Sequence, residues 1–144
     1  VSEKVASWLD SSAVLALLYG EPGTDVVRRL LEQAEREVVT LFLSALSLAE
    51  IVSSIAETHN EEIARDDLRI VLEMPVQIAS PSQKECAQGG WLRARHKLST
   101  AGAITAAQAM AANAELVHKD PEFDQVAGLK HRRLPYKKKS SRRR

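Results

Sequence analysis

The 144-residue chain has a single cysteine, Cys86, so no disulfide can form within it. A lone thiol in a domain of this size fits a reducing compartment, and a cytoplasmic location is expected. No run of about 18 apolar residues is present, which excludes a transmembrane helix from the expectation. The opening "VSEKVASWLD" lacks a basic start followed by an apolar stretch, so no signal peptide is read there. No Gly-rich phosphate-cradling loop of the Walker type occurs, which disfavours nucleotide hydrolysis. His59, His96 and His131 are scattered without metal-ligand spacing, and no internal repeat is found.

What is present is the material of one ordinary domain. Hydrophobic residues make up 44% and charged residues 27% of the chain, normal values for a globular fold with a real core. The formal net charge of +1 hides an asymmetry. The last eight residues, "KKKSSRRR", carry six Lys and Arg, which leaves 14 basic against 19 acidic residues elsewhere, a body of formal charge −5. Such a body favours divalent cations where its carboxylates gather, and the tail favours phosphates.

Periodicity divides the chain into alternating strands and helices. Val5 to Leu9 reads as a strand, and Asp10 at its end precedes the helical run "AVLALLYG". Gly20, Pro22 and Gly23 break that helix. Thr24 or Asp25 is expected to cap the next, with Val26, Val27, Leu30, Leu31 and Ala34 on one face. "VVTLFL" is a second strand, followed by a helix opened by Ser44 or Ser47 and by another from about Glu61 to Glu73. "PVQIA" reads as a third strand and Ser82 starts a helix that Gly89 and Gly90 weaken, by about 1 kcal/mol each relative to alanine. Ser99 caps the alanine-rich "AGAITAAQAMAAN", and "AELVHK" is a fourth strand. "DPEFDQV" is a loop or short helical turn. "RRLPY" is a last edge strand, since Pro135 bars it from a central place. Strands separated by helical crossovers predict an α/β fold around a mostly parallel sheet.

In such a sheet functional side chains gather at the C-terminal edge of the strands. Asp10 ends the first strand and Asp120 follows the fourth, so both face one edge if those strands are neighbours. Glu50 sits in an apolar helical stretch, between Ala49 and Ile51, where an unpaired carboxylate is costly. Sharing a hard cation with Asp10 and Asp120 would account for it. A few oxygen ligands with room for water suit Mg2+ or Mn2+. Taken singly, each residue also has an ordinary reading, as a helix cap, a turn former or an exposed acid.

"WLDSSAVLALLYGEPGTDVV" resembles the opening of PIN-domain ribonucleases, in particular the VapC-type toxins of bacterial toxin–antitoxin pairs. "LSALSLAEIVSSI" is similar to the family's second motif, with Glu50 as its acid. "LSTAGAITAAQAMAANAELVHKDPEFDQV" is similar to the third and fourth motifs, with Asp120 in the last. The resemblance runs from about Val5 to Leu134. It implies a PIN-like three-layer sandwich over residues 1–136, with a sheet of four or five strands, followed by a basic tail at 137–144. It also implies a cytoplasmic, Mg2+-dependent (or Mn2+-dependent) endoribonuclease that hydrolyses RNA phosphodiester bonds. Asp10, Glu50 and Asp120 would be the catalytic metal ligands, and Ser12 would orient Asp10 or the substrate. The implied partner is a small VapB-like antitoxin.

One position departs from the family pattern. The third motif normally reads Ser-Thr-Ala-Asp-Ala, and here it is "STAGA", with Gly102 in place of the acidic ligand. Three explanations compete. The chain is a catalytically inactive PIN-fold module that binds antitoxin or RNA without cutting it; or the substitution disarms a toxin; or another carboxylate stands in. Asp124 is the nearest candidate on spacing and Glu115 a poorer one. His118 replaces a common Thr two residues before Asp120 and is read as a strand terminator. Lys119 is read as solvent-exposed, and "RARHK", Arg93 to Lys97, as a solvated helix face. Trp8 is expected to pack under the sheet edge. Trp91 is read as a core or dimer residue, and a homodimer is expected around it.

Overall fold

The computed structural model describes residues 5–136. The basic tail at 137–144 lies outside the described residues. Strands β1 (Val5–Leu9), β2 (Val39–Ser44), β3 (Gln77–Ala79), β4 (Glu115–His118) and β5 (Lys130–Arg133) form one sheet in the order β3-β2-β1-β4-β5. Every pairing in it is parallel. The chain winds outward from β1 through β2 to β3, then crosses to the other side of β1 for β4. The C-terminal ends of β1 and β4 therefore flank the topological switch point, where open α/β sheets bind their ligands.

Strand alternation divides the core in two. Leu9, Leu41, Leu43 and Val117 face one side, where they pack with α1 (Ser11–Leu18), α2 (Thr24–Glu35), α3 (Ala45–Thr58) and α4 (Glu61–Leu72). Trp8, Phe42 and Leu116 face the other, beneath α5 (Gln83–Arg95) and α6 (Thr100–Ala111). The result is three layers, helix–sheet–helix. Trp8 is buried and stacks on Phe42 with ring centroids 4.9 Å apart, the packing expected of it.

Several local expectations are corrected. The N-cap of α2 is Gly23, at φ +100°, a left-handed conformation that neither Thr24 nor Asp25 would adopt cheaply. Of the two readings of Trp91, the core one fails: it is 62% exposed and belongs to neither core cluster. Lys119 is buried rather than solvated, its Nζ 3.0 Å from the Pro22 carbonyl and 3.4 Å from Glu21 Oε1. The last strand begins at Lys130, slightly earlier than expected, and holds the sheet edge with Pro135 beyond it. Gly89 has a packing reason absent from its helix propensity: a Cβ there would lie 2.7 Å from Ile104 Cγ1, so α5 and α6 touch backbone to side chain at this point.

Candidate metal centre

Where β1 ends, the backbone N–H of Asp10 still donates to the Val117 carbonyl at 3.0 Å, so the chain leaves the sheet beside β4. Asp10 is the N-cap of α1. Its Oδ2 accepts from the Ser12 N–H at 3.1 Å and from the Ser12 hydroxyl at 2.5 Å. Ser12 Oγ in turn accepts from the Lys119 N–H at 2.9 Å, which ties α1 to the end of β4. Asp10 is 4% exposed. Both of its bonds end on Oδ2, and no donor among the described residues reaches Oδ1. Burial lifts its carboxyl to about 6, against the Ser12 bonds and with help from the Glu50 and Asp120 charges.

Glu50, half-buried on α3, accepts from the Ser11 hydroxyl at 3.2 Å. Its carboxyl is raised by burial and further by Glu122 and Asp120, while Ser11 opposes the shift. Asp120 caps a 3-10 turn over Pro121–Gln125 and accepts from the Glu122 N–H at 3.0 Å. Asp10 thus lies within reach of the Glu50 and Asp120 charges, and Glu50 within reach of those of Glu122 and Asp120. Ser12 stands beside Asp10, as the sequence reading has it.

Gly102 is the third residue of α6, and its N–H donates to the N-cap hydroxyl of Ser99 at 3.0 Å. Neither expected substitute reaches it. Asp124 is held by Arg133 and Tyr136, both at 2.6 Å. Glu115 lies at the start of β4 with Ser7 and Arg132, at the opposite end of the strand. The residue that does reach Gly102 was not read from the sequence. Glu122 Oε1 accepts from the Ser99 N–H at 2.8 Å and Oε2 from the Ser99 hydroxyl at 3.2 Å. Burial raises the Glu122 carboxyl, and Asp120, within hydrogen-bonding reach, raises it further.

A second group brings ligand atoms together: His118, Asp124 and His131 lie within 4.8 Å of one another. Its atoms are committed elsewhere. His118 Nδ1 accepts from the Asp120 N–H at 3.2 Å, so the neutral ring carries its proton on Nε2, facing His131 Nδ1 at 3.0 Å. Burial and His131 push the His118 pKa down to about 4, which keeps the ring neutral. This pair fixes the strand end that presents Asp120. Beside the acidic group a cleft of about 500 Å3 runs between α1, α3 and the segment after β4, lined among others by Ser12, Tyr19, His59, Lys119 and Tyr136. Tyr19 and His59 stack there at 5.3 Å.

The PIN domain profile matches residues 8–129. The chain belongs to the PIN domain family. No curated protein sequence matches it significantly. The same fold is found in a chain of Rickettsia felis VapBC2 bound to a DNA fragment from its promoter, with TM-score 0.74 and 20% identity over 91% of this chain and 100% of that one. VapBC-1 of nontypeable Haemophilus influenzae is similar, with TM-score 0.68 and 17% identity over 90% of this chain and 98% of the other. So is VapC20 of Mycobacterium tuberculosis, a toxin that cleaves the sarcin-ricin loop, with TM-score 0.65 and 16% identity over 81% and 92%. In this PIN domain the acids offer only oxygen ligands, and the hydrogen bonds of the Asp10 carboxylate fall on Oδ2, not Oδ1. Both features fit a hard divalent cation.

Proposed function

We propose that this PIN domain is a VapC-like endoribonuclease that depends on Mg2+ or Mn2+ and is neutralised by a VapB-like antitoxin. The observation that carries the reading is the buried Asp10 carboxylate, whose hydrogen bonds among the described residues all fall on Oδ2, beside Glu50 and Asp120 at the switch point. Asp10, Glu50 and Asp120 would hold the cation. When bound, such a cation neutralises charge at a scissile phosphate and lowers the pKa of water for in-line hydrolysis. Ser12 fixes the Asp10 carboxylate through two bonds to one oxygen, which leaves the other free. His118 holds the Asp120 backbone. The adjoining cleft, with the Tyr19–His59 stack on its wall, offers an RNA strand a surface for a base and its backbone.

The likeness to chains of VapBC2 and VapBC-1 supports an antitoxin partner for this chain. A second copy of the chain is assigned to the face around Trp91, the large apolar side chain most exposed on α5. None of the described helices is long and apolar enough to cross a membrane. Incubation of end-labelled single-stranded RNA with the purified chain tests the nuclease reading. Cleavage with Mg2+ and its loss with a chelator are expected. Binding of RNA without cleavage in Mg2+ would instead establish the inactive binding module.

A further inference from the structure

Tyr136, the last described residue, stands on the wall of the cleft beside the acidic group. Its hydroxyl donates to Asp124 Oδ1 at 2.6 Å, and its ring stacks on the buried His118 with centroids 6.2 Å apart. His118 in turn accepts from the Asp120 N–H at 3.2 Å. The segment 137–144 therefore starts at the cleft, tied through His118 to the strand end that carries Asp120.

The cleft is short of the charge that a phosphate chain needs. Among the described residues that line it, Lys119 is the single Lys or Arg. Its Nζ is taken by the Pro22 carbonyl at 3.0 Å and by Glu21 Oε1 at 3.4 Å. Arg133, which shares Asp124 with Tyr136, is paired with that acid at 2.6 Å. Residues 1–136 hold 14 basic against 19 acidic residues, a formal charge of −5 that repels RNA at long range. The missing cations lie in the segment that begins after Tyr136, with six Lys and Arg in eight residues. Eight residues span at most about 29 Å, so all six stay within that distance of the cleft wall. The chain's own acids are a poorer target for them. Asp10 is buried, and Asp124, the acid that Tyr136 touches, is already paired with Arg133.

We propose that the cleft and residues 137–144 together hold one single-stranded RNA. The cleft takes a base against the Tyr19–His59 stack, and the six cations take backbone phosphates of the adjoining nucleotides. This rests on the reading of the cleft as an RNA surface. Once either contact is made the other is intramolecular, so the two multiply in affinity.

Fluorescence anisotropy of a short labelled single-stranded RNA, in metal-free buffer so that no strand is cut, tests this on four proteins of the same length. They are the wild type, Tyr19→Ala, a neutral-tail variant (Lys137→Gln, Lys138→Gln, Lys139→Gln, Arg142→Gln, Arg143→Gln and Arg144→Gln) and the combination of both. Far-UV circular dichroism checks that each is folded. Neutralising the tail should weaken binding at low salt by at least about tenfold. It should also flatten the slope of log K against log salt by up to about 4, at roughly 0.7 per phosphate contact. Tyr19→Ala should weaken binding by about 5- to 100-fold, the worth of one stacked base, and by the same factor with either tail. That equality is the signature of one strand held at two places. A loss on Tyr19→Ala only in the neutral-tail protein would show the cations holding RNA apart from the cleft, and would overturn the inference. A loss in neither background would overturn the cleft reading with it. Binding by the neutral-tail variant as tight as wild type would also overturn the inference, as would tighter binding, the result expected of a tail that covers the chain's own acids. The nuclease reading fails by a separate measurement, uncut RNA in Mg2+, which leaves this binding cycle as it stands.

Discussion

Asp10 carries the clearest consequence at the scale of a single residue. Its folded pKa of about 6 lies above the ordinary carboxyl value of 3.8. A raised folded pKa means stability that is present below the unfolded value and is lost as pH rises through the folded one. In metal-free buffer the ionised Asp10 therefore works against the fold at neutral pH, by up to about 3 kcal/mol at 1.36 kcal/mol per unit. Asp10→Asn removes the charge and keeps the oxygen that Ser12 needs. Urea unfolding without metal should show the variant more stable than wild type by roughly 1–3 kcal/mol at pH 7.5, with the gap closing towards pH 4. His118 acts with the opposite sign. Its pKa is lowered to about 4, so its contribution is present above 6.5 and falls away in acid. It is common to both proteins and cancels in the difference. A variant less stable than wild type at pH 7.5 would show that the Asp10 charge is compensated within the protein.

The residue scale also shows what could be read from the sequence. Asp10, Glu50 and Asp120 were legible because each stands at a fixed place in a local pattern: strand end, apolar helix, strand end. Glu122 was not. Its role comes from a contact with Ser99 across 23 positions, and no local period reports that. Asp124 stood out on spacing alone, and the 3-10 turn after Asp120 carries it instead to Arg133 and Tyr136. A faint signal existed: Ser99 opens a helix whose N3 residue has no side chain to return to the cap, and an acid stands two residues after Asp120.

At the scale of elements, the α5–α6 contact gives a sharper test of packing than of propensity. Glycine inside a helix ordinarily costs about 0.5–1 kcal/mol relative to alanine. Gly90 has open space around its missing Cβ, so Gly90→Ala should stabilise by about that amount. Gly89 faces α6, where the new methyl would meet Ile104 side chain and backbone at 2.7 and 2.9 Å. Gly89→Ala should destabilise by roughly 1–3 kcal/mol, the range for forcing extra volume into a packed contact. Thermal unfolding of the two single variants decides it. Shifts of the same sign would mean that α5 and α6 separate easily. The sequence showed the pair of glycines and its cost to the helix; which of the two faces a neighbour depends on tertiary packing.

At the scale of the molecule, the order β3-β2-β1-β4-β5 is what gathers the acids. Motifs more than 100 residues apart in sequence meet because β4 returns beside β1. The alternation of strands and helices made the layered parallel fold legible, whereas the neighbouring of β1 and β4 entered the sequence reading only as a condition and is supplied by the sheet order. The state of Trp91 was not, because a tryptophan in a helix with little amphipathic pattern reads equally as core or as surface. Its exposure of 62% leads to an association test. Sedimentation velocity should show a dimer for the wild type and a shift towards monomer for Trp91→Glu. A wild type that sediments as a monomer across micromolar concentrations would remove the homodimer from the account.

The central claim is that Asp10, Glu50 and Asp120 form one cation-holding centre at the switch point. Anomalous X-ray scattering from crystals of the chain grown with Mn2+ tests it most directly. The account predicts a manganese peak among these three carboxylates, adjoining Asp10 Oδ1. A peak at His118, Asp124 and His131 instead, or none at the acids, would contradict it.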